Sequence, residues 1–208
     1  MTDTNYTAIL VVLDRSGSME GSAHEMAAAT QQLIDAQAAQ PGMLTVDIVT
    51  FDNVIEHTHA FAQPGDVKVV LEPRGATALY DAIGVSFAGF GAALAALPEH
   101  ARPGTVLATI VTDGFENSSQ EYDAAAVKRI IRRQRDDYDW DVSFLGANQD
   151  AVLAAGHIGI DAKDALTFDL SSIAPTMAAH TAKQTRRRGG DRTGYTQAER
   201  GAADPGRP

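Results

Sequence analysis

Two aspartates and three hydroxyl side chains hold the chemistry of this 208-residue chain, because each stands where an apolar run meets a loop or a loop meets a helix. Asp14-Arg15-Ser16-Gly17-Ser18-Met19 follows the apolar run 7–13. Thr112-Asp113-Gly114 ends the run 105–112. Arg74-Gly75-Ala76-Thr77-Ala78-Leu79-Tyr80-Asp81 opens a long apolar stretch. Asp14, Ser16, Ser18, Thr77 and Asp113 offer oxygen donors only, a set that suits a hard cation such as Mg²⁺ or Mn²⁺ better than zinc or copper. The bland alternative is that Ser16 and Ser18 merely cap a helix. That reading leaves Asp14, Thr77 and Asp113 unused.

The elements that would bring these loops together follow from patterning. Continuous β-branched runs at 7–13, 44–51 and 105–112, with a shorter one at 142–145, read as strands buried on both faces, as in a parallel sheet. Residues 54–61 alternate and follow the turn signal Asp52-Asn53, which predicts a hairpin to an edge strand. Helical patterns fall at 23–38, 79–97, 122–135, 150–155 and from about 172, and 165–168 reads as a last short strand. Strands alternating with helices predict an α/β fold: a doubly wound, mostly parallel six-stranded sheet with one antiparallel edge strand and helices on both faces. In such a sheet ligands sit at the carboxyl ends of strands where strand order reverses, and all three loops lie on that edge.

On these residues, DRSGSM resembles the D-x-S-x-S metal-ion-dependent adhesion site of von Willebrand factor A domains. The Thr of GAT and the Asp of VTDG resemble that site's second and third loops, in the family's order. The similarity spans roughly residues 7–170, and FLGANQDAVLAAGHIGI is similar to stand-alone bacterial members. The resemblance implies that Ser16, Ser18 and Thr77 touch one bound Mg²⁺ or Mn²⁺ directly while Asp14 and Asp113 act mainly through bound waters. Neutral hydroxyls donate little charge, so such an ion stays electrophilic and keeps one position open for an anion. The implied function is a divalent-cation-dependent protein-binding module, not an enzyme, whose metal coordinates a partner's Asp or Glu. By family analogy alone, partners include AAA+ ATPases and components of stress or conflict systems. Two rivals stay open: a metal-dependent hydrolase using the cation to activate water, and a structural component with a vestigial metal site.

Weaker signals have bland counterparts. Arg15 projects from the metal loop and reads either as a partner-binding residue that steers a carboxylate or as an ordinary surface arginine. His57 and His59 on the edge strand lack an obvious third ligand and read as solvated. Lys128, Arg129, Arg132, Arg133 and Arg135 form a basic helix face, read as solvated or as a docking face. Asp81 near a helix start reads as a complement to the helix dipole. Trp140 and Tyr138 read as packing where a helix meets the next strand. There is no G-x-S-x-G elbow, Walker A loop, strand-linked G-x-G-x-x-G or H-E-x-x-H. Two residues after Asp14, where an aspartyl phosphatase places its general acid, stands Ser16.

The net charge of −10 is divided unevenly. Residues 1–180 carry 10 basic and 24 acidic side chains, a net of −14, whereas 181–208 carry 7 and 3, a net of +4. The acidic body predicts repulsion of nucleic acid and attraction of cations. Cysteine is absent, which excludes disulfides and thiolate sites and suits a reducing cytoplasm. No signal-peptide pattern and no uncharged apolar run of about 18 residues is seen, so a cytoplasmic protein away from membranes is expected. Domain organisation is expected as one domain over 1–185, with 186–208 a disordered, basic, Gly/Arg-rich tail.

Overall fold

A computed structural model describes residues 1–147 and 150–206. Asn148 and Gln149, within the segment similar to stand-alone bacterial members, and the last two residues of the tail lie outside the described residues. Strands β1 (Asp3–Asp14), β2 (Met43–Phe51), β3 (Ile55–Ala62), β4 (Pro103–Thr112), β5 (Asp141–Ala147) and β6 (Ala165–Phe168) form one sheet in the order β3-β2-β1-β4-β5-β6. Only β3 runs antiparallel, as the hairpin signal requires; β1 pairs in parallel with both β2 and β4. The expected doubly wound α/β sheet is therefore present.

The apolar runs are continuous because both faces of the sheet are covered. In β1, Ala8, Leu10 and Val12 enter one core with Phe87, Phe144 and Trp140, while Ile9, Val11 and Leu13 enter the other with Met26, Leu33 and Met177. The first core is roofed by α2 (Leu79–Ala96), α3 (Ala124–Tyr138) and the short α4 (Ala151–His157); the second by α1 (Ala23–Ala38), α5 (Ile173–Arg188) and α6 (Gln197–Ala203). By length and mean hydropathy (1.4) α2 is apolar enough to cross a membrane. Here it lies on the sheet through Ala82, Ile83, Phe87, Phe90 and Leu94, all buried. Trp140 packs as expected, its ring 5.6 Å from Phe87 and 5.5 Å from Phe90, but Tyr138 is half exposed. His57 is not simply solvated: its Nε2 lies 3.0 Å from Oδ1 of buried Asp47.

The tail expectation is corrected. The boundary at 185 falls inside α5, and the described residues beyond it dock on the body. The two large or apolar anchors of this stretch, Tyr195 and Ala203, are buried. Tyr195 reaches His180 Nδ1 at 2.7 Å. Thr196 and Glu199 close a capping box at the start of α6. The arginines of the expected tail are consumed: Arg186 pairs with Glu199 at 2.6 Å, Arg187 and Arg192 pair with Asp139, and Arg188 and Arg200 donate to backbone carbonyls of Gln37, Pro41, Ala162 and Ala165. Composition marks such a stretch as unable to bury itself, but the acidic body supplies the partners.

Candidate metal centre

Sheet order reverses between β1 and β4, and their carboxyl ends are neighbours: Leu13 is in register with Val111. Asp14 and Thr112 therefore face each other at the sheet edge, and Thr112 Oγ1 donates to Asp14 Oδ2 at 2.5 Å. Asp14 Oδ1 accepts the Ser16 N–H at 2.7 Å, which curls the first loop back over the strand end. Ser16 Oγ lies 3.0 Å from Ser18 Oγ, and Ser18 donates to Asp113 Oδ1 at 2.6 Å. The third loop joins through glycine. A methyl group placed on Gly114 would stand 3.1 Å from Thr77 Oγ1 and 3.7 Å from Ser18 Oγ. Gly114 thus lets the β4 loop close against both hydroxyls. All five expected oxygen residues, Asp14, Ser16, Ser18, Thr77 and Asp113, meet at one place on the sheet edge.

Backbone bonds hold the loops in that arrangement. Gly17 N–H donates to Gly75 O, Arg74 N–H to Arg15 O, and Ala78 N–H to Asp52 O. Gly75 has φ +69°, and a Cβ there would collide with the Asn53 side chain, so the second loop needs glycine at this turn. Asn117 clamps Thr77 from the other side, accepting its N–H at 2.9 Å and donating its own N–H to the Thr77 carbonyl at 3.1 Å. Ser16 makes no side-chain cap bond to the 3-10 turn Gly17–Gly21, and Ser18 lies inside that turn with its hydroxyl on Asp113. The capping alternative for these serines does not hold.

Arg15 takes a different place from the one expected of a steering cation. It is 5% exposed. Its Nε lies 3.2 Å from Asp52 Oδ2 and its Nη1 2.6 Å from Glu56 Oε2. Arg74 bridges the same two carboxylates at 2.7 and 2.5 Å. The two guanidinium groups hold the Glu56 carboxyl down at about 2. Arg15 is thus a strut between the first loop and the β2–β3 turn, with its charge already neutralised. Asp81 is also more than a dipole complement: its carboxylate accepts the N–H groups of Gln120, Glu121 and Tyr122 at 2.7–2.9 Å. Sequence reasoning missed Thr112, Asp52, Glu56, Arg74 and Asn117. Thr112 and Arg74 stood within the loop segments already singled out, and Asp52 and Glu56 within the hairpin, but their partners were not visible there; Asn117 stood in none of these segments.

The donor set fits a hard cation. Burial pushes the carboxyl groups of Asp14 and Asp113 up, the charge of Asp113 adding to the rise at Asp14 and hydroxyl and backbone donors only partly offsetting it. Among the described residues no lysine, arginine or histidine pairs with either. One buried and one half-buried carboxylate beside three hydroxyls, with no basic partner among the described residues, form a site whose charge a divalent ion would balance. Among the described residues no three His, Cys, Asp or Glu side chains converge, so the hydroxyls are indispensable to such coordination.

No family model matches the chain, and no curated protein matches it in sequence. Solved structures do match it in fold. Proximal thread matrix protein 1 from the mussel byssus superposes with a TM-score of 0.62 at 15% identity, covering 88% of this chain and 46% of that one. A von Willebrand factor type A protein from Catenulispora acidiphila gives 0.57 at 17%, covering 85% and 42%. The chain has the von Willebrand factor A fold. The von Willebrand domain of the type V pili tip protein Mfa5 from Porphyromonas gingivalis, at 9% identity and a TM-score of 0.60, is covered over 98% of its length, against 91% of this chain. The chain thus spans under half of the first two proteins and nearly all of the third. The mussel protein has also been solved with a zinc-occupied metal-ion-dependent adhesion site.

Proposed function

We propose that this chain is a divalent-cation-dependent protein-binding module, in which a metal held by Asp14, Ser16, Ser18, Thr77 and Asp113 coordinates a carboxylate of a partner protein. The observation that carries the reading is the Asp14–Ser16–Ser18–Asp113 relay with Thr77 beside it. It is an all-oxygen cluster at the switch point, with two carboxylates lacking a basic partner. Mg²⁺ is the proposed ion, with Mn²⁺ its laboratory substitute; hard oxygen donors favour both. Ser16, Ser18 and Thr77 would hold the ion directly, and Asp14 and Asp113 would balance its charge. When bound, the ion supplies a Lewis-acidic position for an anion. The chain's own residues orient it and, through the Arg15–Asp52–Glu56–Arg74 network, keep the loops in place.

Matched structures include a byssus matrix protein, a pilus tip protein and a minor pilin, and none of these descriptions names a reaction. That supports a binding role without catalysis. The partner, which family analogy puts among AAA+ ATPases or stress and conflict components, and a cytoplasmic location remain part of the proposal. The test is capture from a host lysate on immobilised protein in Mg²⁺ against EDTA. Partners retained in Mg²⁺ and released by EDTA, and absent on Asp14→Ala, are the expected result. Capture that ignores both EDTA and Asp14→Ala overturns the reading.

A further inference from the structure

The loop after β4 ties most of its side chains from 113 to 119 back to the protein by hydrogen bonds. Asp113 accepts from Ser18. Glu116 turns back into the loop, its carboxylate accepting from the N–H groups of Tyr80, Ser118 and Ser119 and from the Ser119 hydroxyl at 2.7–2.9 Å. Asn117 clamps Thr77, Ser118 Oγ is buried, and Ser119 Oγ also accepts the Asp81 N–H at 3.0 Å. Asp81 then pins residues 120–122. Phe115, the one large apolar side chain of this loop, is left 69% exposed. Its exposure does not come from slack in the loop, which is bonded on both sides of it.

Position makes this phenylalanine unlike a scattered surface apolar residue. Gly114, its chain neighbour, lies against the Thr77 and Ser18 hydroxyls, and consecutive Cα atoms are about 3.8 Å apart. Phe115 therefore stands within one side chain's length of the oxygen cluster. The two arginines of the metal loops do not help to recognise an acid, because Arg15 and Arg74 are both spent on Asp52 and Glu56. A rigid aromatic beside a charge-binding point is the composition of an interface anchor: large contact area with little side-chain entropy to lose.

We propose that Phe115 is the specificity-determining residue of the metal edge, selecting partner segments in which an Asp or Glu is accompanied, within a few residues, by a large apolar side chain that packs on its ring. This rests on the carboxylate-binding reading above. It adds that the metal alone does not choose the partner: the ion takes the acid and Phe115 reads its neighbour.

A displayed peptide library with one fixed central Asp and randomised flanks, selected in Mn²⁺ and eluted with EDTA, tests both layers. Wild-type protein should enrich an aromatic or aliphatic residue at a constant offset from the Asp. Phe115→Ser should still capture peptides in a Mn²⁺-dependent way but lose that offset preference, and should bind the wild-type consensus peptide about tenfold more weakly or worse. The variant's melting temperature and Mn²⁺ binding should match wild type, because Phe115 contributes to neither core. Enrichment that depends on Mn²⁺ but is the same for wild type and Phe115→Ser overturns this inference and leaves the carboxylate reading standing. Failure of wild type to enrich any peptide in a Mn²⁺-dependent way overturns the carboxylate reading, and this inference with it; failure of Phe115→Ser alone overturns the division of roles between ion and ring.

Discussion

Thr112 donates its hydroxyl to Asp14 at 2.5 Å, tying the last residue of β4 to the last residue of β1. The same Oγ1 accepts the Gly114 N–H at 3.2 Å, so one side chain sets both the Asp14 carboxylate and the start of the loop carrying Asp113 and Phe115. Asp14 is thereby fixed through both oxygens, by Thr112 and by the Ser16 N–H, while the serine hydroxyls are presented to whatever the site holds.

The first prediction concerns the ion. Calorimetry should show one Mn²⁺ site, of modest affinity because hydroxyls and waters are weak ligands and Mg²⁺ dehydrates reluctantly. Asp14→Ala should abolish binding by removing balancing charge. Thr77→Ala removes a neutral donor and should weaken binding in a way that excess Mn²⁺ partly overcomes. Helix and sheet content should be unchanged in both. Mn²⁺ binding indifferent to Asp14 would place the ion elsewhere.

Charge reversal at Arg15 separates strut from steering residue. Asp52 is buried, and removing one partner of a buried ion pair costs about 3–5 kcal/mol. Arg15→Glu should lower the urea midpoint sharply and disturb metal binding through the first loop. A variant of wild-type stability that only associates more slowly would restore the steering role.

The docked C-terminal stretch predicts a loss on truncation. Ending the chain at Gly190 removes buried Tyr195 and Ala203 together with the Arg186–Glu199 pair. Burying a tyrosine alone is worth roughly 3 kcal/mol, so the melting temperature should fall by several degrees. An unchanged melting curve would mean that the stretch does not hold the fold.

His180 gives a pH dependence. Its ring is fully buried between Thr109, Gln184 and Tyr195, and burial, with the nearby Lys183 charge, holds it down at about 3 against an ordinary 6.5. The unfolded chain binds a proton at this group below 6.5, and the folded chain does so only near 3. Its contribution is therefore complete above about 6.5 and is lost as pH falls towards 3, by an amount on the order of a few kcal/mol. Urea midpoints at pH 7.0 and 5.5 should differ for wild type, and by less for His180→Gln. Equal pH slopes in the two proteins would remove His180 from the account.

What the sequence determined by itself is local or periodic. The β-branched runs, the Asp52-Asn53 hairpin and the alternation of strands with helices were enough for the sheet. The five oxygen residues were legible because Asp14, Ser16, Ser18 and Asp113 follow the ends of such runs and Thr77 precedes a helix, where the topology of a doubly wound sheet carries them to one edge. Partnership is not legible in that way. Arg15 reads as a projecting cation until Asp52 and Glu56, about 40 residues away in the chain, are folded beneath it. Asp81 reads as a helix-dipole residue until three backbone N–H groups from 120–122 arrive at its carboxylate. Residues 186–208 read as a disordered basic tail until, for the described ones, Asp139, Gln37 and the carbonyls beside β6 present themselves as acceptors. A charge seen in sequence has no known neighbour, and whether it is solvated, paired or buried depends on long-range contacts that only the tertiary structure supplies.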